Sequence, residues 1–316
     1  MKKYSTEDTR AQWSLRKYHS RILAACLNRR ADEYFATGNP AHDSYKRRAG
    51  RVYPCSDRIE EQRYDNGDAT HRSWFLCGDR LCPQCARVRS VRLAVNALDV
   101  QRAYYKAHPD APKPIHVVLT QRNCLPCELK GEIGRMLDAL RLITHRRRDI
   151  KRLLAGMARS IEVTYNAESR TYHPHVHLIV LPKSEDAAQA LLSDSWWRQV
   201  WQDCMRLDYV PMCDAKECYS DGAMAEVTKY ITKMMPIYSL ESSDLRYAVL
   251  SCIDDAIRDR RVIAYYGEWR KLRAALKQDD NLEPVEDEKH TVVHRELLEW
   301  AGLEAGYVPV KVLEGC

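Results

Sequence analysis

The spacing of apolar residues divides the chain into helical and extended segments. Apolar positions that recur every three or four residues predict helices, and β-branched or alternating runs predict strands. From residue 115 onward the predicted order is β-α-β-β-α-β-α, which favours an α+β core with helices packed on an antiparallel-centred sheet. Helices are predicted at 10–37, 86–106, 128–154, 187–205, 224–235 and 242–278, and extended segments at 115–120, 160–166, 171–181 and 209–219.

Turn-forming residues and charge suggest five parts. The two prolines within residues 108–112 mark a boundary before the core. The parts are a basic, helical N-terminal segment (1–48), a small cysteine-rich module with a connecting helix (49–110), the core (111–240), a helical C-terminal part (241–278) and an acidic tail (279–316).

Composition narrows the class of protein. Hydrophobic residues make up 45% of the 316 residues and charged residues 30%, which is ordinary for a globular protein. The N-terminal 20 residues are charged throughout and lack the apolar run of a signal peptide. No stretch approaches the roughly 18 apolar residues of a membrane span. We therefore expect a cytoplasmic protein that does not enter a membrane.

Charge is spread unevenly along the chain. Residues 1–110 hold 21 Lys and Arg against 13 Asp and Glu, whereas residues 279–316 hold 3 against 10. A basic body fits a polyanionic partner, most simply nucleic acid.

A strand rich in histidine carries the clearest chemical signal. On a strand, His173, His175 and His177 share one face, because successive side chains alternate. If a two-residue turn at 168–169 joins this strand to the preceding one, Glu162 lies directly opposite His175. Two imidazoles and a carboxylate make a site with open positions, suited to Mg²⁺ or Mn²⁺. The alternative is a polar edge strand whose histidines only meet solvent.

A predicted helix carries a tyrosine with charged neighbours. Glu226, Tyr230 and Lys233 are spaced four and three residues apart, so they lie on or near one face. Beside a cation bound to a phosphate, Tyr230 could act as a nucleophile, with Lys233 stabilising the phenolate. Glu226 could activate water or accept a proton. The alternative is a surface Glu/Lys pair beside a half-buried tyrosine.

Together these motifs resemble the rolling-circle replication initiators of small bacterial plasmids, a branch of the HUH endonucleases. The similarity rests on His175-Val176-His177 followed by Glu226-x₃-Tyr230-x₂-Lys233. It extends from about Cys55 to Leu276. Further matching positions are Leu119-Thr120-x₂-Asn123, Cys77-x₄-Cys82-Pro83-x-Cys85, Trp201 with Asp208-Tyr209, and Arg260-Arg261 with Gly267.

The resemblance implies an HUH-type fold and an enzyme that nicks one strand at a double-strand origin. Tyr230 would join the 5′-phosphate and leave a 3′-OH that primes synthesis, and His175 and His177 would bind the metal. Glu226 stands where two-tyrosine relatives carry a second tyrosine, and would promote a terminating cleavage by water. Glu162 as the third ligand rests mainly on the strand register. The implied partners are origin DNA, a host helicase and a DNA polymerase.

Clustered cysteines predict a structural zinc site. Cys77, Cys82 and Cys85 offer three thiolates at close spacing in a chain without an export signal. Cys55 or His71 would complete a tetrahedral set, and we favour Cys55 because the resemblance also includes an upstream cysteine. A bound zinc would explain how so turn-rich a module folds. Cys124 and Cys127 lack a second ligand pair, and we interpret them as packed or exposed thiols.

Basic runs are candidates for contact with DNA phosphates. Arg87 and Arg89 follow the cysteines, and Arg146, Arg147 and Arg148 lie on the long predicted helix. A solvated helix face is the alternative interpretation of each run.

Other functions remain open. A transposase or a relaxase uses similar chemistry, although relaxases usually place the tyrosine before the histidine motif. A zinc-dependent DNA-binding regulator without catalysis is another possibility. A metallohydrolase is least favoured, because the ligands of a second zinc do not follow His177.

Overall fold

The computed structural model describes residues 9–218, 235–278, 282 and 290–313. These residues form two compact units, drawn from Met1–Arg92, Met234–Leu250 and Asn281–Cys316 (the first unit) and from Leu93–Lys233 and Ser251–Asp280 (the second unit). The helices are α1 (Arg10–Ala36), α2 (His42–Val52), α3 (Pro83–Ala107), α4 (Pro126–Arg141), α5 (Arg148–Leu153), α6 (Glu185–Leu191), α7 (Asp194–Met205), α8 (Met235–Tyr238), α9 (Ser243–Ile257) and α10 (Glu268–Ala275). The strands are β1 (Arg58–Tyr64), β2 (Ala69–Ser73), β3 (Ile115–Thr120), β4 (Leu154–Asn166), β5 (Thr171–Pro182), β6 (Cys213–Glu217), β7 (Ile263–Gly267), β8 (Val292–Trp300) and β9 (Tyr307–Leu313).

The second unit is built on a five-stranded antiparallel sheet of order β6-β3-β5-β4-β7. Its strands are rich in buried aliphatic side chains, and β5 is buried along most of its length at the centre of the sheet. Helix α7 lies against β3, where the Trp201 indole donates to the carbonyl of Thr120 at 2.9 Å. The α+β class is thus confirmed.

The long helix predicted for 128–154 is not continuous, because it is interrupted at Arg147. The chain continues through a π-helical turn (Leu142–Arg146) and α5, and β4 already begins at Leu154. Arg147 adopts an extended conformation, with φ −75° and ψ 98°.

Two further predicted helices are interrupted. The segment 187–205 contains two helices, and the Ser193 hydroxyl caps the second by accepting from the Trp196 amide at 3.3 Å. Within 242–278, Ile263–Gly267 forms β7 and pairs with β4. A Cβ on Gly156 would meet the amide nitrogen of Trp269 at 2.8 Å, so glycine permits the close approach of the chain that follows β7.

The first unit contains a four-stranded antiparallel sheet of order β2-β1-β8-β9. A buried cluster of Trp13, Ile59, Leu298 and Tyr307 joins α1 to this sheet. The segment predicted as an acidic tail therefore supplies two strands, β8 and β9. Its excess of carboxylates hid the few apolar residues, Leu298 and Tyr307, that enter this core.

A buried carboxylate ties α1 to the same sheet. Glu61 on β1 accepts from the Arg10 guanidinium at 2.5 Å and lies 3.0 Å from His71 Nε2. The hydrogen bond from Arg10 is the largest cause that lowers the pKa of Glu61, to about 2. Glu296 on β8 also pairs with Arg10 at 2.9 Å, so this residue of α1 pairs with carboxylates on both β1 and β8.

Across the described ranges, no helix combines the length and the apolar character needed to cross a membrane.

Candidate active site and metal centres

The pairing of β4 with β5 places the histidines. Glu162 pairs with His175 and Thr164 with His173, which is the predicted register. The predicted two-residue turn is a four-residue loop, 167–170, that closes on the Asn166–Thr171 pair. The Asn166 side-chain oxygen accepts from the amides of Glu168 and Ser169 at 3.0 Å each, and so holds this loop in place.

Three side chains converge on one buried point in the sheet. Glu162 Oε2 lies 2.7 Å from His175 Nε2 and 2.8 Å from His177 Nε2. The exposed fractions of the three residues are 1%, 7% and 5%. Their ligand atoms all lie within 4.8 Å of one another, so one carboxylate oxygen and two imidazole nitrogens could hold a divalent cation.

His173 lies beside this triad without joining it. Its Nδ1 is 3.0 Å from the side-chain oxygen of Asn123, and its ring centroid lies 5.5 Å from that of His175. Burial is the largest cause that lowers the pKa of His173, followed by the charge of His175. His173 is therefore held as a neutral imidazole at the edge of the site.

Sequence reasoning missed a fourth histidine. His116 on β3 places its Nε2 3.2 Å from His177 Nδ1, and the two rings stack with centroids 5.4 Å apart and planes 8° apart. His116 lies on the same face as His177 because Val118, two residues on, pairs with His177. The alternation of side chains within 115–120 places His116 on one face of the strand. Only the β3–β5 register shows that this face carries His177.

The outer nitrogen of each ligand histidine has a partner. His175 Nδ1 lies 3.3 Å from the carbonyl oxygen of His173, and His177 Nδ1 faces His116. A histidine that donates from Nδ1 keeps the Nε2 lone pair for a metal. These contacts therefore favour the tautomers in which both Nε2 atoms can serve as ligands.

Hydrogen bonds of side chains near the end of β3 hold this strand in place beside the triad. Thr120 pairs with His175, and its hydroxyl donates to the carbonyl of Met212 at 2.8 Å. The Tyr209 hydroxyl accepts from the Arg122 amide at 2.8 Å. Asn123 joins this end of the strand to β5 through His173 and Thr171.

The predicted tyrosine motif cannot be placed against the triad. Glu226, Tyr230 and Lys233 lie outside the residues that the structure describes.

The predicted phosphate-contacting arginines fall in both units. Arg146 and Arg148 are exposed, whereas Arg147 pairs with Asp149 at 2.8 Å and lies 3.7 Å from Asp203. Arg87 is half-buried, and Arg89 donates to the carbonyl of Gly78 at 3.1 Å. Arg89 therefore supports the loop of the cysteine cluster.

Four buried cysteines come together in the first unit. The Cys55–Cys85, Cys77–Cys85 and Cys55–Cys82 sulfur pairs lie 3.6, 3.5 and 3.6 Å apart. A tetrahedral zinc with Zn–S bonds of about 2.3 Å needs sulfurs roughly 3.8 Å apart. His71, the competing fourth ligand, instead contacts Glu61. The residues present therefore fit a Cys₄ zinc site.

Backbone donors surround these sulfurs. The amides of Cys77 and Gly78 donate to the sulfurs of Cys55 and Cys85 at 3.4 and 3.3 Å. Hydrogen bonds with neighbouring thiols raise the pKa of Cys77 and Cys85, and the hydrogen bond with Cys55 is the largest cause. Four thiols this close cannot all ionise without a cation between them, whereas a cation would stabilise the thiolates.

Cys124 and Cys127 lie outside the cluster. Cys124 is buried and Cys127 is exposed. Burial is the largest cause that raises the pKa of Cys124, to about 12, which leaves it an unreactive thiol.

Comparison with known proteins identifies the family. The family model described as "Replication protein" matches residues 69–308, about three quarters of the chain. The chain belongs to this family of plasmid replication proteins. The match includes the triad and three of the four clustered cysteines.

Individual relatives of this replication protein carry the same description. A "Protein rep" of Streptococcus pneumoniae is 27% identical over 235 residues, covering 72% of this chain and 71% of the relative. A "Protein rep" of Bacillus amyloliquefaciens is 27% identical over 276 residues, covering 79% and 80%. A "Protein rep" of Lentilactobacillus hilgardii is 28% identical over 260 residues, covering 77% and 81%. No solved structure matches the chain.

We expect Cys77→Ser to cost the replication protein one equivalent of zinc per chain. Losing a structural metal should destabilise the protein by about 4 kcal/mol or more. Metal analysis by mass spectrometry and thermal unfolding measure both effects. Cys127→Ser, which changes an exposed thiol outside the cluster, should leave both unchanged. Retention of stoichiometric zinc by Cys77→Ser would contradict the Cys₄ assignment.

His116→Ala should weaken Mn²⁺ binding by about 10- to 100-fold, because His177 loses the partner that fixes its tautomer. The loss of the free-Mn²⁺ electron paramagnetic resonance signal on titration gives the dissociation constant directly. His116→Gln can still accept a hydrogen bond and should recover much of the affinity. His145→Ala, at an exposed histidine of the same unit, is the matched control. Equal affinities of His116→Ala and the wild type would refute the role of His116.

Proposed function

We propose that this replication protein initiates rolling-circle replication by nicking one strand of its plasmid origin through a 5′-phosphotyrosine intermediate. The observation that carries the proposal is the buried Glu162–His175–His177 triad on paired strands of an antiparallel sheet. In a plasmid replication protein that also carries Glu226, Tyr230 and Lys233, this triad fits HUH-type strand cleavage.

The triad would hold Mg²⁺ or Mn²⁺. Its single carboxylate and two imidazoles leave positions for phosphate oxygens, and the bound cation would draw charge away from the scissile phosphate. His116 and the carbonyl of His173 would orient the two imidazoles. Asn123 would keep His173 directed along the strand beside the site.

The proposed nucleophile is Tyr230. Its phenolic oxygen would form a bond to phosphorus as the bond to the 3′-oxygen breaks. The 3′-oxygen would leave, take up a proton from water, and remain as the hydroxyl that primes synthesis. Lys233 would stabilise the phenolate and the added charge of the pentavalent state. Glu226 would accept a proton here, and in the terminating cleavage it would activate water.

The first unit would fold around a structural zinc. The sulfur spacing and the backbone donors to Cys55 and Cys85 support this metal at the Cys₄ cluster. Exposed arginines such as Arg146 and Arg148 would contact origin DNA phosphates in the second unit. A host helicase and polymerase would then extend the 3′-OH.

Covalent trapping tests the chemistry. The protein is mixed with Mn²⁺ and a 3′-labelled single-stranded oligonucleotide that spans the plasmid's nick site, and is resolved on a denaturing gel. We expect a labelled protein band that requires the metal, disappears in Tyr230→Phe and falls by at least about 100-fold in His175→Ala. Tyr18→Phe, at a part-exposed tyrosine of α1, should retain the band.

Two outcomes would overturn the assignment. A band that persists in Tyr230→Phe would place the nucleophile elsewhere. No band from wild-type protein that demonstrably binds origin DNA would favour a zinc-dependent regulator without catalysis. The match to replication proteins already favours an initiator over a transposase.

A further inference from the structure

The first unit exposes aromatic side chains beside the cysteine cluster. Trp74 is 59% exposed and Phe75 44%, directly after β2. Trp13, Trp197 and Trp269, in contrast, are at most 4% exposed. Exposing large aromatic rings to water is unfavourable in free energy. Two exposed rings that are consecutive in sequence therefore indicate a binding surface.

The backbone beneath these rings is firmly held. The Trp74 amide donates to the carbonyl of Arg58 at 3.1 Å, and the Phe75 carbonyl accepts from the Ser56 amide at 2.9 Å. The Phe75 amide also donates to the hydroxyl of Ser73 at 3.2 Å. The rings are therefore exposed on an ordered support and do not belong to a frayed loop.

A third exposed ring lies on the neighbouring segment. Tyr53 is 56% exposed, and the Arg21 guanidinium lies over its ring, 3.4 Å from the centroid. The Tyr53 carbonyl accepts from the buried Lys17 ammonium at 2.7 Å. We call Tyr53, Trp74 and Phe75 the aromatic platform.

The cysteine cluster fastens the two segments together. Cys55 lies two residues after Tyr53, and Cys77 lies two residues after Phe75. The Cys77 amide donates to the Cys55 sulfur at 3.4 Å, and both sulfurs belong to the Cys₄ cluster. A metal in the cluster would thus hold the two parts of the platform at fixed positions.

The surroundings of the platform are cationic. Arg47 and Arg51 on α2 and Arg72 on β2 are exposed, and none of them makes an ion pair with a described residue. Arg72 lies on β2, two residues before Trp74. Carboxylates near these arginines have other cationic partners. Glu60, opposite Arg72 in the β1–β2 pairing, lies 3.9 Å from Arg295; Asp57 pairs with Lys17 and Arg21, and Glu299 pairs with Arg58.

We propose that the aromatic platform binds single-stranded DNA by stacking unpaired bases on Tyr53, Trp74 and Phe75. Arg47, Arg51 and Arg72 would contact the adjoining phosphates. Stacking on aromatic rings beside a cationic surface is how proteins bind single strands with little sequence preference. These arginines make no ion pair among the residues that the structure describes, and this favours a polyanion over an apolar protein partner. This proposal rests on the proposed function, because single-stranded DNA arises when a replication origin is opened.

The test measures the affinity of zinc-loaded, full-length protein for a labelled oligothymidylate of about 16 nucleotides by fluorescence anisotropy. Removing two stacking rings in Trp74→Ala/Phe75→Ala should raise the dissociation constant by about 30-fold or more, because stacking contributes roughly 1–3 kcal/mol per base. Trp74→Phe keeps a ring and should stay within about threefold of the wild type. Phe35→Ala, at a 73% exposed ring near the end of α1, is the matched control.

A duplex of the same length separates stacking from phosphate contact. Paired bases cannot stack on the platform, so the double variant should bind duplex within about threefold of the wild type. Binding of oligothymidylate should also quench tryptophan fluorescence in the wild type, and this quenching should fall in Trp74→Phe. Zinc content and thermal unfolding confirm that the double variant is folded.

Three results would overturn the proposal: unchanged affinity of the double variant for oligothymidylate, an equal loss for single strand and duplex, or no oligothymidylate binding by the wild type. The outcome is separate from covalent trapping at the origin. If the platform variants lose single-strand affinity but the wild type forms no phosphotyrosine, the platform stands and the proposed nicking chemistry fails.

Discussion

The pairing of β4 with β5 is the constraint on which the candidate active site depends. Side chains alternate along a strand, so a slip of one residue would turn Glu162 to the opposite face from His175. The fully buried aliphatic residues that alternate with the histidines, Val176 and Leu178, penalise such a slip, because it would place polar imidazoles in their apolar surroundings. The core thus fixes the register, and the register brings the carboxylate to the imidazoles. Apolar packing thus determines where Glu162, His175 and His177 meet.

In the first unit, the metal ligands are brought together by loops and the start of α3 rather than by paired strands. The four sulfurs of its cysteine-rich segments converge at a buried point, where a bound metal would stabilise the fold. The same sulfurs hold Tyr53 and Phe75 on adjacent segments. Fold and binding surface would therefore both depend on one metal. In the second unit, packing instead determines where the metal ligands meet.

The sequence predicted contacts between neighbouring elements better than contacts between distant ones. The Glu162–His175 pair followed from a short turn and the alternation of side chains. His116 escaped prediction because about 50 residues separate β3 from β5, so no turn fixes their register. The strands β8 and β9 were hidden by their acidic composition and by the distance to their partner β1. Tyr230 lies outside the described residues, so its position stays a prediction.

Anomalous diffraction at the manganese edge tests the central claim most directly. Crystals of the full-length protein grown with Mn²⁺ should show a manganese peak bonded to a Glu162 carboxylate oxygen, His175 Nε2 and His177 Nε2. His116 should face the outer nitrogen of His177 in the same map. Manganese bound away from these three side chains, or a β4–β5 register in which Glu162 does not pair with His175, would contradict the account.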